Sequence, residues 1–190
     1  MKKTLFIIMA LLPMLASAQY FTLTAEGWKS AEDITSDFIV IPMDGTKAEL
    51  FQKAKTAVTA TYKSAKDVMS FNEPDIININ GYTDCIFDKR LGMKMFFGLH
   101  YTLQILFKDG KIRINAPDAY HAEPLDIKNR MHIYFTPGNA GFLDPTCYVF
   151  NKKGELKKKE FKKQAEDHFN GLVQIIIDKM KNGASNDDDW

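Results

Sequence analysis

Leu99–Ala116 reads LHYTLQILFKDGKIRINA, and its alternation decides the fold. Tyr101, Leu103, Ile105 and Phe107 point one way, and His100, Thr102, Gln104 and Lys108 the other. Leu106 is the one apolar residue on the second face. A period of two marks a strand with one buried face. Lys108-Asp109-Gly110-Lys111 follows, and Asp-Gly suits a two-residue turn because both types tolerate positive φ. Ile112, Ile114 and Ala116 then alternate with Lys111, Arg113 and Asn115. The stretch is a β-hairpin with an apolar side that needs a cover.

Two covers are visible. Thr46-Lys47-Ala48-Glu49 has the form of a capping box. Behind it Leu50, Phe51, Ala54, Ala57, Val58, Thr61 and Tyr62 recur at helical spacing, with Lys47, Lys53, Lys55 and Lys63 on the far side. The second runs from about Leu156 to Lys181, where Phe161, Ala165, Phe169, Leu172, Ile176 and Met180 step by three or four and Val173, Ile175 and Ile177 widen the stripe. Lys157–Lys159 at its start oppose the helix dipole, so water or acidic neighbours must compensate. Phe38–Ile41 reads as a short strand closed by Pro42. Val68–Phe71 and Ile76–Tyr82 read as two strands of a second hairpin or as one strand interrupted at Pro74, with Gly81 marking a bulge. Asp84–Arg90 is polar and reads as a loop. The expected fold is α+β: an antiparallel β-sheet with two helices packed on one face, in the order β-α-β-β-β and a final α, a two-layer sandwich of helix-grip-like form.

Residues 1–18 have the pattern of a secretory signal peptide. Lys2 and Lys3 precede an apolar run from Thr4 to Leu15, and Ala16-Ser17-Ala18 is a small-x-small cleavage site. The apolar run is short of the about 20 residues that span a bilayer. No transmembrane segment is expected, and the location is periplasmic or secreted after cleavage behind Ala18. Removing 18 of 190 residues leaves 172, a natural length for one domain. The expected division is a lead-in at 19–37, a single α+β domain at 38–182 and an acidic tail at 183–190. With 25 basic and 24 acidic side chains, the chain lacks the basic excess of a nucleic-acid binder. Cys85 and Cys147, the two cysteines, would meet an oxidising compartment. They read either as one disulfide or as two buried thiols.

Chemistry is sparse in this sequence. It has no G-x-S-x-G, H-E-x-x-H, phosphate loop or C-x-x-C, and no catalytic residue is assigned. His121 with Asp118 and Glu123 reads as a solvated polar loop, so no metal or cofactor is expected. His132 with Cys147 has the residue types of a nucleophile pair but no visible activating environment. The lysines at 152, 153, 157, 158, 159, 162 and 163 interleave with Glu155, Glu160 and Glu166 and read as a solvated face. Tyr134, Phe135, Phe142, Tyr148 and Phe150 lie among prolines and glycines, outside regular periodicity. They either close one end of the core or line a ligand- or partner-binding patch. The functional expectation is a binding module for a small apolar molecule or peptide. A structural or protein-interaction component of an envelope assembly is the alternative, and a hydrolytic or metal-dependent enzyme comes third.

The exported N-terminus, the Phe38–Ile41 strand with the Thr46–Tyr62 helix, Ile79-Asn80-Gly81, and Tyr101-x-Leu103-x-Ile105-x-Phe107-Lys108-Asp109-Gly110-Lys111-x-Arg113 together resemble a known family. It is a family of exported Gram-negative bacterial domains of unknown function, described as having a fold like that of the TATA-box-binding protein. The likeness covers Phe38–Ala116 best. It implies the fold and no activity, and it implies no DNA binding, since function resides in sites and not in folds.

Overall fold

The structure, a computed structural model, describes residues 18–90, 92–126, 128, 130–139 and 146–183, with the side chains of Cys85 and Arg90 left out. Residues 1–17 of the expected leader, residues 184–190 of the acidic tail and Phe142 lie outside the described residues. In chain order the elements are β1 (Phe21–Thr24), β2 (Gly27–Ser30), β3 (Phe38–Pro42), α1 (Lys47–Thr59), α2 (Ala65–Val68), β4 (Met69–Asn72), β5 (Ile76–Arg90), β6 (Met93–Lys108), β7 (Lys111–Asn115), β8 (His121–Pro124), β9 (Ile133–Tyr134), β10 (Cys147–Tyr148) and α3 (Lys159–Asn182).

β6 is the axis of an eight-stranded sheet. β5 runs antiparallel along one edge, from Ile76↔Leu106 to Arg90↔Met93. The other edge is shared by two strands. β7 takes Ile105 to Lys108, β8 takes Phe97 and Gly98, and a Thr102↔Asp118 bridge lies between them. β3 extends the sheet beyond β7, and β4 beyond β5. β9 and β10 extend it beyond β8.

The hairpin forms as its sequence predicts, with Lys108 opposite Lys111 and Gly110 at φ +75°. Its turn also positions a helix. Asp109 Oδ1 accepts from Lys47 N at 2.6 Å, and Gly110 N donates to Gly45 O at 2.9 Å. The capping box is present: Glu49 N donates to Thr46 Oγ1 at 3.3 Å, and Thr46 N to Glu49 Oε2 at 2.7 Å. Tyr101, Leu103, Ile105, Phe107, Ile112 and Ile114 are all buried and form the floor under α1 and α3. Edge-to-face rings fill the space between the layers: Phe51 on Phe107 at 5.5 Å, Tyr101 on Phe169 at 5.1 Å and Phe97 on Phe161 at 5.8 Å.

Four expectations need correction. The sheet is mixed, because β10 lies parallel to β9. Asp84–Arg90 is strand and not loop. Asp84 and Lys89 are exposed and Asp88 pairs with Lys158, while β6 pairs with the backbone. Gly81 is regularly paired, opposite Tyr101, and the register shift falls between Thr83 and Ile86. Gly81 is glycine for room: an added Cβ would lie 2.2 Å from Tyr101 Cζ. Finally, the lead-in holds a hairpin, β1 against β2, whose Phe21, Leu23 and Trp28 are buried. Four polar side chains of α3 at i, i+4 spacing hold it. Lys162 Nζ reaches Thr22 Oγ1 at 3.3 Å, Glu166 Oε1 accepts from Leu23 N at 2.9 Å, Asn170 Oδ1 accepts from Phe21 N at 2.8 Å, and Gln174 Oε1 accepts from Tyr20 Oη at 2.7 Å.

Candidate functional site

The helices cover one face of the sheet, and the other face is open. Its parity follows from β6, where Phe97 and Leu99 face the core and Gly98 and His100 face outward. Glu123 pairs with Gly98, so it also faces outward, as does His121 two residues away on the same strand. Across the next edge His121 pairs with Tyr134 and Ala122 with Ile133. Continuing that register places His132 opposite Glu123. The donor atoms of His121, Glu123 and His132 all lie within 4.8 Å of one another. His121 Nε2 is 3.1 Å from Glu123 Oε1. The Tyr134 ring stacks on His121 at 5.2 Å, and Tyr148 stacks on Tyr134 at 5.7 Å. The result is two imidazoles and a carboxylate beside two stacked phenols.

This arrangement sorts the residues read from sequence. Tyr134 and Tyr148 lie on the outer face together. Phe135 and Phe150 are buried, and Phe135 packs on Trp28 at 5.9 Å. Asp118, read beside His121 and Glu123, instead bridges to Thr102. Cys147 sits on the core side opposite Ile133, and His132 on the outer side, so the two do not form a pair across one face. β10, with Cys147, is separated from the Cys85-bearing β5 by β9, β8 and β6. His132 was missed as a partner of His121. It adjoins a strand of two residues, too short to show a period.

Comparison with known proteins places the chain. Residues 39–121 match the family described as a domain of unknown function, DUF4468, with a TBP-like fold. This stretch is similar to that family. Two solved structures share its fold. A TBP-like protein from Parabacteroides distasonis is 17% identical with a TM-score of 0.54, over 76% of this chain and 91% of that one. A DUF4468 family protein from Bacteroides ovatus is 11% identical with a TM-score of 0.53, over 78% and 86%. At such identities the likeness is one of fold. No curated protein matches.

The DUF4468 match runs from β3 to the first residue of β8, so Glu123, His132, Tyr134 and Tyr148 lie beyond it. Within it, the outer face carries a second feature. Tyr82, His100 and Tyr120 line an open groove of about 470 Å³. Tyr82 and His100 are opposite one another with rings 4.8 Å apart. Tyr120 is 64% exposed and Tyr82 50%. At the other end of this face the side chains bond to each other. Gln104 Nε2 donates to Asn78 Oδ1 at 2.8 Å, Asn115 Nδ2 to Gln104 Oε1 at 2.6 Å, and Arg113 Nε to Asn115 Oδ1 at 2.8 Å. The lysine-rich start of α3 is largely paired: Lys157 with Glu155, Lys158 with Asp88, Lys162 with Glu166 and Lys163 with Asp167. Among the described residues, no helix is long and apolar enough to cross a membrane.

His168 faces the core and not the open face. Its ring meets Tyr101 at 5.8 Å and Phe169 at 5.2 Å. Burial holds its imidazole below the ordinary value of 6.5, because desolvation penalises the cation. Below that value the unfolded chain takes up a proton the folded chain refuses. Stability therefore rises with pH through this window and is lost on its acid side. We expect the melting temperature to fall less in His168→Phe than in the parent protein between about pH 7.5 and about pH 5. Parallel losses in the two proteins would remove His168 from the acid response.

Proposed function

We propose that this protein is an exported, non-enzymatic binding module that takes an extended segment of another envelope protein across the open face of its sheet. The observation that carries the reading is the groove between Tyr82, His100 and Tyr120, on the face the helices leave uncovered. Exposed aromatic rings of this kind supply contact area at low entropic cost and are frequent binding hot spots. A polypeptide suits the face better than a small apolar molecule. The layer between sheet and helices is filled by ring contacts, and the groove outside it is open and flanked by amide side chains at Asn78, Asn80 and Gln104. Export rests on the leader pattern of residues 1–18. The hairpin fits that reading: Tyr20 N, two residues beyond the expected cleavage point, is already bonded to Asn170 Oδ1 at 3.0 Å.

Photo-crosslinking in the native envelope tests the proposal. A benzoylphenylalanine at position 120 is expected to capture a polypeptide. The same probe at Lys53, on the helix side, is expected to capture none. Tyr82→Ala in the probe-bearing protein is expected to reduce capture by about tenfold or more, the loss of one modest hot spot. Equal capture from positions 53 and 120, or none from either, counts against the reading. Tyr82 and Tyr120 are exposed, so these changes leave stability within about 1 kcal/mol.

A further inference from the structure

We infer that His121, Glu123 and His132 form a binding site for one divalent transition-metal ion of the zinc type, a site independent of the peptide groove. The argument begins with the register. Two residues of β8, two apart, and the residue opposite the second of them put three donor groups on one side of the sheet. The donor set is nitrogen, nitrogen and carboxylate oxygen. Imidazole with carboxylate suits zinc, copper, nickel and iron, whereas calcium and magnesium take oxygen ligands.

The distances fit as well. In a tetrahedral site with bonds of about 2.0–2.1 Å, neighbouring ligand atoms lie about 3.3–3.4 Å apart. His121 Nε2 and Glu123 Oε1 are 3.1 Å apart, and all three donors fall within 4.8 Å. A small rotation of the exposed Glu123 side chain closes the difference. Three protein ligands leave the fourth position to water or to a donor group from outside.

Two further features point to a ligand. His132 Nδ1 is closed to solvent and has no hydrogen-bond partner. Such a nitrogen is a cost to the protein, and a bound cation engages the imidazole that carries it. The Tyr134 ring, stacked at 22° on His121 and at 28° on Tyr148, fixes the plane of one ligand before the ion arrives. The pairing of His121 with Glu123 accounts for two of the three residues as a surface ion pair, but not for the third.

The test is calorimetric titration of the tag-free chain with Zn2+, and Co2+ spectroscopy for geometry. The expected result is one ion per chain, a micromolar or tighter dissociation constant and the visible bands of tetrahedral Co2+. His121→Ala, Glu123→Gln and His132→Ala are each expected to weaken binding by about 100-fold or more. Asp118→Asn, which removes the acid nearest in sequence but not in space, is expected to bind as the parent does. Melting curves accompany each variant. The side chains of His121 and Glu123 are 37% and 55% exposed, so their variants carry the test even where His132→Ala unfolds. Saturable binding that survives His121→Ala and Glu123→Gln, binding lost in Asp118→Asn, or no saturable binding in the parent overturns the inference.

Discussion

Replacing Asn170 with alanine is expected to destabilise the protein by about 3 kcal/mol, with the N-terminal hairpin β1–β2 loosening first. Asn170 is 5% exposed and uses both ends of its amide. Oδ1 accepts from Tyr20 N at 3.0 Å and from Phe21 N at 2.8 Å, and Nδ2 donates to Phe21 O at 3.0 Å. Alanine leaves three main-chain groups without partners beside an apolar gap. A buried polar group left unpaired costs about 1–3 kcal/mol, and water entering the gap recovers part of the sum. A hairpin of two four-residue strands does not hold itself together in water. Once its tie to α3 weakens, Phe21, Leu23 and Trp28 leave the core together. For a chain of this size the change corresponds to a fall in melting temperature of about 6–12 °C. Hydrogen exchange gives the sharper reading: the Phe21 and Leu23 amides should exchange far faster than those of β6. Asn170→Gln keeps the chemistry but moves the amide by one methylene, so it should not restore protection. Unchanged exchange at Phe21 in Asn170→Ala would show that the hairpin is held by its apolar contacts alone.

How much of this was legible in the sequence depends on contrast. Tyr101 to Phe107 alternates apolar against polar, and burial follows that alternation residue by residue. α1 announces itself through its cap and its stripe, because one side meets the core and the other meets water. Along α3 the apolar stripe was equally clear, except that Ile175 turns out exposed. The row Lys162, Glu166, Asn170 and Gln174 was not. Polar side chains that grip a strand have the same composition as side chains that face solvent, so the hairpin they hold read as a loose lead-in. The outer-face site was hidden for a related reason. β8 has four residues and β9 two, too few to establish a period. His121-x-Glu123 does carry the i, i+2 spacing of one strand face, and His132-x-Tyr134 repeats it. What the sequence lacks is the register that sets these two pairs against each other. Among the aromatic residues, the chain gave no basis for separating buried Phe135 and Phe150 from outward Tyr134 and Tyr148, since that depends on the same unseen strands.

Gly81→Ala is expected to cost about 3 kcal/mol, the opposite sign from what a strand glycine usually implies. In an ordinary strand position alanine recovers about 0.5–1 kcal/mol of backbone entropy relative to glycine. Here the new methyl carbon would lie 2.2 Å from Tyr101 Cζ, 2.3 Å from its hydroxyl oxygen and 2.6 Å from Cε2. The ring has little room to retreat. It is 5% exposed, edge-on to Phe169 at 5.1 Å and to His168 at 5.8 Å, and its hydroxyl lies 3.0 Å from that of Tyr62. Burial, followed by that hydrogen bond, raises the Tyr62 pKa well above the ordinary phenol value, so its hydroxyl stays neutral across physiological pH. Displacing Tyr101 therefore disturbs α1, α3 and the sheet at once. A double-mutant cycle isolates the contact. Tyr101→Leu is itself destabilising, through the lost ring contacts and the Tyr62 hydroxyl left behind. In the Tyr101→Leu background, however, Gly81→Ala should cost at least about 1 kcal/mol less than in the parent, because the obstructing ring is gone. Strictly additive costs would place the strain in the backbone at Gly81. A stabilising Gly81→Ala would mean that Tyr101 does not occupy the space over this residue in solution.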